Sequence, residues 1–240
     1  MVDSMTKMAI PLDHPLWLSL TGAHREFALG TGLARRYQPD VSILAALAPD
    51  AEPEAWADLR ETCVAGEVVA VFFFDAVVPV PPDGDWKVVF EATCDKMVVT
   101  DTVPSARPAP ELTALTSADV DEMLALVKLT QPGPFASRTI ELGRYLGVRV
   151  GHELVAMAGE RAYVDGFREV SAVCTHPDHR GRGLADALVR AVVAKAAVRG
   201  ETSFLHVATD NDSARRAYER IGFVRRRVAN VIAVQALARD

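Results

Sequence analysis

Cysteine is scarce in this chain of 240 residues: Cys63, Cys94 and Cys174 stand far apart and are odd in number. Such a set supplies neither a disulfide framework nor a cysteine-rich zinc site. Basic blocks are lacking too. The formal net charge is −6, and the densest basic run, Arg225-Arg226-Arg227, reads as a solvated strand end, so no nucleic-acid partner is expected. The most apolar window, residues 68–78, is too short to span a bilayer and is broken by Asp75. Residues 1–8 contain Asp3 and no apolar stretch, which does not read as a signal peptide. No membrane partner is expected, and the expected location is cytoplasmic. With half its residues hydrophobic and 24% charged, the chain has the profile of a globular protein of one large domain or two small ones.

The sharpest change of composition lies near residues 102–111, where Pro104, Pro108 and Pro110 alternate with small residues. Proline at that density disfavours helix and sheet alike, so residues 104–110 read as a linker between an N-terminal half, 1–103, and a C-terminal half, 111–240. In the first half, residues 16–28 and 39–47 read as helices, and 67–74, 86–92 and 96–100 as strands, with the Pro-rich stretch 79–84 as a long turn. In the second half, residues 116–128 have apolar positions at helical spacing with Ser117 as a candidate N-cap. Strands are expected at 146–150 and 154–160, joined at Gly151-His152, and at 169–175, 204–208 and 225–234. Helices are expected at 184–199, closed by Gly200, and at 213–220. The fold class is therefore α/β to α+β: a mixed, twisted sheet flanked by helices.

The segment from Glu169 to Ala185 carries the most chemistry. A strand ends at Pro177, a Gly-rich polar loop follows, and a helix starts near Leu184. Loops of this shape aim backbone N–H groups at one point, and the unpaired N–H groups and dipole of the first helical turn favour an anion. Gly181 and Gly183 let the backbone approach it, and Arg180 and Arg182 add positive charge. A pyrophosphate suits such a loop. No Gly-x-x-x-x-Gly-Lys-Ser/Thr string exists, and a dinucleotide fingerprint starting at Gly181 would place Asp186 where its third glycine belongs. In His176-Pro-Asp178-His179, Pro177 forbids the helix on which a His-Glu-x-x-His metal site depends, and no metal is expected.

Arg180-Gly-Arg-Gly-Leu-Ala185 resembles the Arg/Gln-x-x-Gly-x-Gly/Ala motif of the Gcn5-related N-acetyltransferase (GNAT) superfamily. Downstream, Asn211-Asp-Ser-Ala-Arg-Arg-Ala-Tyr218-Glu-Arg-Ile-Gly222-Phe223 resembles that superfamily's second signature. The resemblance covers about residues 111–240 and is nearest to the FR47-like branch. It implies that acetyl-CoA, or another acyl-CoA, is the co-substrate. Backbone groups of Val173, Cys174 and Thr175 would meet the pantetheine arm. Arg180, Gly181, Arg182, Gly183, Leu184 and Ala185 would wrap the pyrophosphate, and Asn211 would bond the cofactor near its thioester end.

An amine attacks a thioester only when neutral, and for an ordinary lysine at pH 7 that costs about 4–5 kcal/mol. A base is therefore needed, together with a proton donor for the departing thiolate. Tyr218 stands where the superfamily keeps its leaving-group tyrosine. Glu169 matches the placement of the catalytic glutamate in histone-acetylating members and leads narrowly as the base. His206 occupies the strand position where ribosomal-protein N-terminal acetyltransferases carry a glutamate, and is the second candidate. Cys174 reads as a small apolar strand residue rather than a nucleophile. The expected activity is acetyl transfer to a primary amine on a small molecule or peptide; a non-catalytic acyl-CoA-binding module and an O-acyltransferase are the alternatives. The order of elements in residues 16–102 resembles the start of the C-terminal half, so the N-terminal half is expected to be a degenerate copy of the same fold. Its Gly30-Thr-Gly32-Leu-Ala34 echoes the loop but lacks the arginine and the preceding strand, so no second CoA site is expected.

Overall fold

The computed structural model describes residues 9–49, 54–74, 80–101 and 110–239. The linker expected at residues 104–110 lies almost wholly outside them. The chain opens with two short helices, α1 (Ala9–Asp13) and α2 (Pro15–Thr21), followed by strands β1 (Ala28–Leu29), β2 (Ala34–Tyr37) and β3 (Leu44–Leu47). Helix α3 (Glu54–Arg60) leads to β4 (Val68–Phe73) and the long strand β5 (Trp86–Val99). The second half runs β6 (Thr113–Leu115), α4 (Val120–Thr130), β7 (Tyr145–Val150), β8 (Glu153–Val164), β9 (Phe167–Thr175), α5 (Leu184–Val198), β10 (Thr202–Ala208), α6 (Asp212–Ile221) and β11 (Phe223–Ala236).

Among the described residues all strands join one sheet, in the order β1-β2-β3-β4-β11-β5-β10-β9-β8-β7-β6. Its two ends repeat one pattern. The antiparallel strands β1, β2 and β3 precede α3, and β4 then pairs parallel to β3; β7, β8 and β9 likewise precede α5, and β10 pairs parallel to β9. The two halves then exchange their last strands. β5 of the first half lies against β10 of the second, β11 of the second lies against β4 of the first, and β5 and β11 pair with each other. The halves are thus interleaved within one sheet.

Burial on both faces explains why the middle strands hold. Phe204 of β10 and Val98 of β5 face Leu12 of α1 and Leu16 and Leu20 of α2. Leu205, Val207 and Met97 face the opposite side, against Leu188, Val189, Val192 and Val193, the apolar stripe of α5. Helix α4 covers the outer part of the sheet, placing Met123 and Leu126 against Tyr145, Leu154 and Met157.

The second half follows its sequence closely, with ends shifted by one to three residues in most elements. Its first helix is capped by Thr116, whose side chain accepts from Ala118 N while Asp119 returns the bond to Thr116 N; the expected cap, Ser117, lies inside the opening turn. The first half departs further. Residues 39–47 form a turn and strand β3 rather than a helix, because Leu44, Ala45 and Ala46 are buried and β3 is flanked by β2 and β4. The helix expected over 16–28 stops at Thr21. Residues 86–92 and 96–100 belong to one strand, β5, and the strands β1 and β2 and helix α3 were not anticipated. The Gly30-x-Gly32 string sits in the turn between β1 and β2, not at a strand-to-helix junction.

Candidate active site

The parallel pair β9 and β10 is in register only from Thr202↔Phe167 to Phe204↔Glu169. Beyond Glu169 the ladder stops. Ala172 takes a left-handed φ of 53°, and the register of β9 against β8 shifts between Met157 and Gly159. A bulge of this kind re-aims a strand. The β10-facing edge of Val173, Cys174 and Thr175 is left without a strand partner among the described residues, as an added pantetheine arm requires. Thr175 Oγ1 is buried and has no hydrogen-bond partner there.

At the open end of this gap, Gly181 and Gly183 adopt φ values of 75° and 78°, a region closed to most side chains, and Gly183 stands directly before α5. The first-turn N–H groups of Leu184 and Ala185 have no partner inside the helix. Arg180 and Arg182 are exposed beside them; Arg180 Nε donates to Thr175 O at 3.3 Å and Arg182 to Asp178 O at 3.2 Å. The donor set fits a pyrophosphate. A β-branched side chain at Gly183 would force the loop out of its left-handed turn. Gly183→Val is therefore expected to abolish CoA binding by calorimetry while the melting temperature stays near that of the parent; retained affinity in the folded variant would remove this site from consideration.

On the far side of the gap, Asn211 caps α6, its Oδ1 accepting from Ala214 N at 3.1 Å. That bond fixes the amide plane, leaving the amide nitrogen and the second lone pair of Oδ1 for a ligand. Tyr218 lies on α6 with its ring edge against Phe223, and burial pushes its phenol up to about 12. It packs against the same core cluster as Val173 of β9. Cys174 is buried, and burial pushes its thiol up to about 11, which leaves it uncharged and a poor nucleophile.

Glu169 and His206 meet where the two strands part. Glu169 is 1% exposed and bound on both oxygens. Oε2 accepts from Arg161 Nε at 2.9 Å and Ala162 N at 3.2 Å; Oε1 accepts from Arg161 Nη2 at 2.7 Å and lies 2.8 Å from His206 Nδ1. Burial alone would raise its carboxyl, but the Arg161 guanidinium and His206 outweigh this and hold it well below the usual carboxylate range. A carboxylate held this low, with both oxygens engaged, is a weak proton acceptor. Because the carboxylate only accepts, His206 Nδ1 must donate to it, and in the neutral imidazole the lone pair falls on Nε2. Nε2 is buried and has no partner among the described residues. Burial pushes the imidazole below its ordinary value, Lys96 and Arg161 act in the same direction, and Glu169 opposes them.

Three rings surround that imidazole: Phe72 at 5.0 Å, Phe74 at 5.8 Å and Phe204 at 5.9 Å between centroids. Phe72 and Phe74 come from the first half, as does Lys96, which stands directly across from His206 in the β5–β10 ladder. Neither Arg161 nor Lys96 was singled out from the sequence. The alternation Cys94, Lys96, Val98 places a lysine on an inward face, and that signal was available.

The same elements occur in known proteins. Residues 145–232 match the family described as FR47-like protein. The N-alpha-acetyltransferase RimI of Mycobacterium tuberculosis is 34% identical over 123 residues, covering 47% of this chain and 77% of that protein. A crystal structure of a GNAT-family protein from Novosphingobium aromaticivorans is 38% identical, with a TM-score of 0.85 over 95% of this chain and 99% of that one. This chain belongs to the GNAT family. It is an acetyltransferase, and GNAT enzymes take acetyl-CoA as co-substrate. A GCN5-related N-acetyltransferase from Kribbella flavida, 17% identical, has the same fold over 93% of this chain and 95% of its own, with a TM-score of 0.60. Both whole-chain matches span the two halves, so the GNAT fold here includes the interleaved first half. Among the described residues no group of His, Cys, Asp and Glu is arranged to hold a metal ion, and no helix is long and apolar enough to cross a membrane.

Proposed function

We propose that this GNAT enzyme transfers the acetyl group of acetyl-CoA to a primary amine, with His206 as general base and Tyr218 as proton donor. The observation that carries the reading is the state of His206: Nδ1 is fixed on an ionised carboxylate, while Nε2 is buried and unpartnered at the point where β9 and β10 diverge. The acceptor ammonium gives up one proton through His206 Nε2 before attack. The amine nitrogen then forms the C–N bond, the C–S bond breaks, and a second proton leaves the nitrogen for His206. The sulfur departs with the proton of Tyr218, which is then restored from solvent, so one proton is released per turnover. Glu169 orients the imidazole and balances its charge when it is protonated. Val173, Cys174 and Thr175 would receive the pantetheine arm, and residues 180–185 the pyrophosphate. The relative from M. tuberculosis carries an N-alpha-acetyltransferase name, which supports an amine acceptor over a hydroxyl.

The same proposal covers the first half. We read it as a degenerate copy of the fold that has lost its cofactor loop, exchanged its last strand with the second half, and become a wall of the acceptor site through Phe72, Phe74 and Lys96. The repeated strand and helix order on the two sides of the exchanged pair supports this.

The direct experiment is to incubate the protein with acetyl-CoA and a panel of amines and read the released thiol. Tyr218→Phe keeps the ring and removes the proton, so turnover is expected to drop roughly 10²–10⁴-fold with CoA affinity little changed. Full turnover in that variant would remove Tyr218 from the mechanism, and thioester loss that never depends on an acceptor would remove the transferase reading.

A further inference from the structure

Lys96 is buried in the centre of the sheet, 0% exposed, with no carboxylate in ion-pair contact among the described residues. Its Nζ donates to Leu12 O of α1 and lies 3.3 Å from the centroid of the Phe74 ring. The nearest anions are taken. Glu169 is held by Arg161 and His206, and Asp13 by Arg226 at 2.7 Å and Arg227 at 3.4 Å. A buried ammonium without a counter-ion is costly, and such groups concentrate where a ligand completes the charge balance. Burial, with Arg226 adding to it, brings this amine down to about 6, so near neutral pH it is mostly uncharged, and an anion bound beside it would restore its proton.

The position of this missing charge is specific. Lys96 and His206 are direct cross-strand partners, so their side chains leave the sheet on one face with Cβ atoms about 4.5–5.5 Å apart. One presents a free nitrogen lone pair and the other an amine with unused donors. A ligand that offers an amine to the first and an anion to the second must carry the two groups within a few bonds of each other. The rings packed around the imidazole, Phe72, Phe74 and Phe204, are apolar. Among the described residues, Glu169 and Asp13, the two carboxylates nearest this pair, are both engaged by arginines.

We infer that the acceptor is a free α-amino acid with an apolar side chain, its carboxylate held by Lys96 while its amine faces His206. The inference rests on the reading of His206 as the base, and deepens it by naming the substrate class. It excludes polyamines and peptide N-termini as the preferred acceptors, because neither places a carboxylate one carbon from the reacting nitrogen.

The test compares L-leucine and L-phenylalanine with their methyl esters and with the matching amines that lack the carboxylate, in the parent enzyme and in Lys96→Met. The free acids are expected to be preferred in kcat/KM by about ten- to a hundredfold, the range of a charge-assisted hydrogen bond. In Lys96→Met the ratio of acid to ester should collapse towards one, through KM for the acids. Esters as good as acids in the parent enzyme, or a preference that survives in Lys96→Met, would overturn the inference. A second arm makes the answer independent of turnover: N-acetyl-L-phenylalanine and N-acetyl-2-phenylethylamine are titrated by calorimetry in the presence of CoA. Tighter binding of the carboxylated product to the parent enzyme supports the inference, and equal binding defeats it, whether or not any amine is acetylated. Failure of every amine to react, with the product preference intact, would count against the His206 mechanism and leave the carboxylate site standing. Should Lys96→Met not fold, the parent comparison of acid, ester and amine still decides.

Discussion

A fragment that starts at Glu111 is expected not to fold. The sequence invites that cut, since the proline-rich stretch before it looks like a boundary between independent halves. The sheet forbids it. β5 is the strand between β10 and β11, pairing from Cys94 to Val98 with one and along its whole length with the other. Removing residues 1–110 strips β10 of one neighbour and β11 of both, and exposes Leu205, Val207, Ile221 and Phe223 from the cluster that Met97 completes. Burying one such side chain contributes about 1.5–3 kcal/mol, against a total stability of about 5–15 kcal/mol for a domain. Four exposed residues, about 6–12 kcal/mol in all, together with three open strand edges, are comparable to that whole margin. The fragment should be insoluble or lack a cooperative melt in circular dichroism, and should bind no CoA. Co-expression of residues 1–103 with 111–240 should restore a complex that copurifies and binds one CoA. A monomeric fragment with a cooperative melt would show that the exchanged strands are dispensable.

The same exchange explains what the sequence could and could not disclose. Elements with one solvated face were legible: α5 shows apolar positions at 188, 189, 192, 193 and 196, and its loop carries a local motif. β3 was misread because Leu44, Ala45 and Ala46 are buried in succession, so its apolar run has no period, and its residues favour helix until two flanking strands override them. β5 was split in two because Thr93, Cys94 and Asp95 interrupt its apolar pattern, yet Asp95 is fully buried beside Arg215 and Arg225, and Lys96 after it is buried beneath Leu12. Their partners lie far away in sequence, out of reach of any local window. The proposed shift of the base from Glu169 to His206 has a related cause. Glu169 looked like a strand-end carboxylate, and nothing in its neighbourhood announced that Arg161, across the β8–β9 hairpin, would neutralise it. His206 was visible as a candidate, but its competence depends on that distant ion pair.

Replacing His206 is expected to have the largest effect on chemistry while leaving the cofactor site intact. In His206→Ala, turnover at neutral pH should fall roughly 10²–10⁴-fold, the usual contribution of a positioned general base. The pH profile separates this from a packing defect. In the parent enzyme the working form is the neutral imidazole, so kcat/KM should decline as pH drops through a value below the ordinary 6.5, the direction set by burial, Lys96 and Arg161 against Glu169. In His206→Ala that acid limb should vanish, and the rate should climb steadily at high pH as the acceptor sheds its own proton. Glu169→Gln supplies the complementary result. It removes the one charge that raises the imidazole, so the acid limb should move to lower pH while the plateau falls, because a less basic imidazole takes the proton less readily. Its melting temperature must be followed in parallel, since an unpaired Arg161 in the core costs about 3–5 kcal/mol. If the limb disappears in Glu169→Gln and persists in His206→Ala, the carboxylate is the base after all, and the dyad works in the opposite sense.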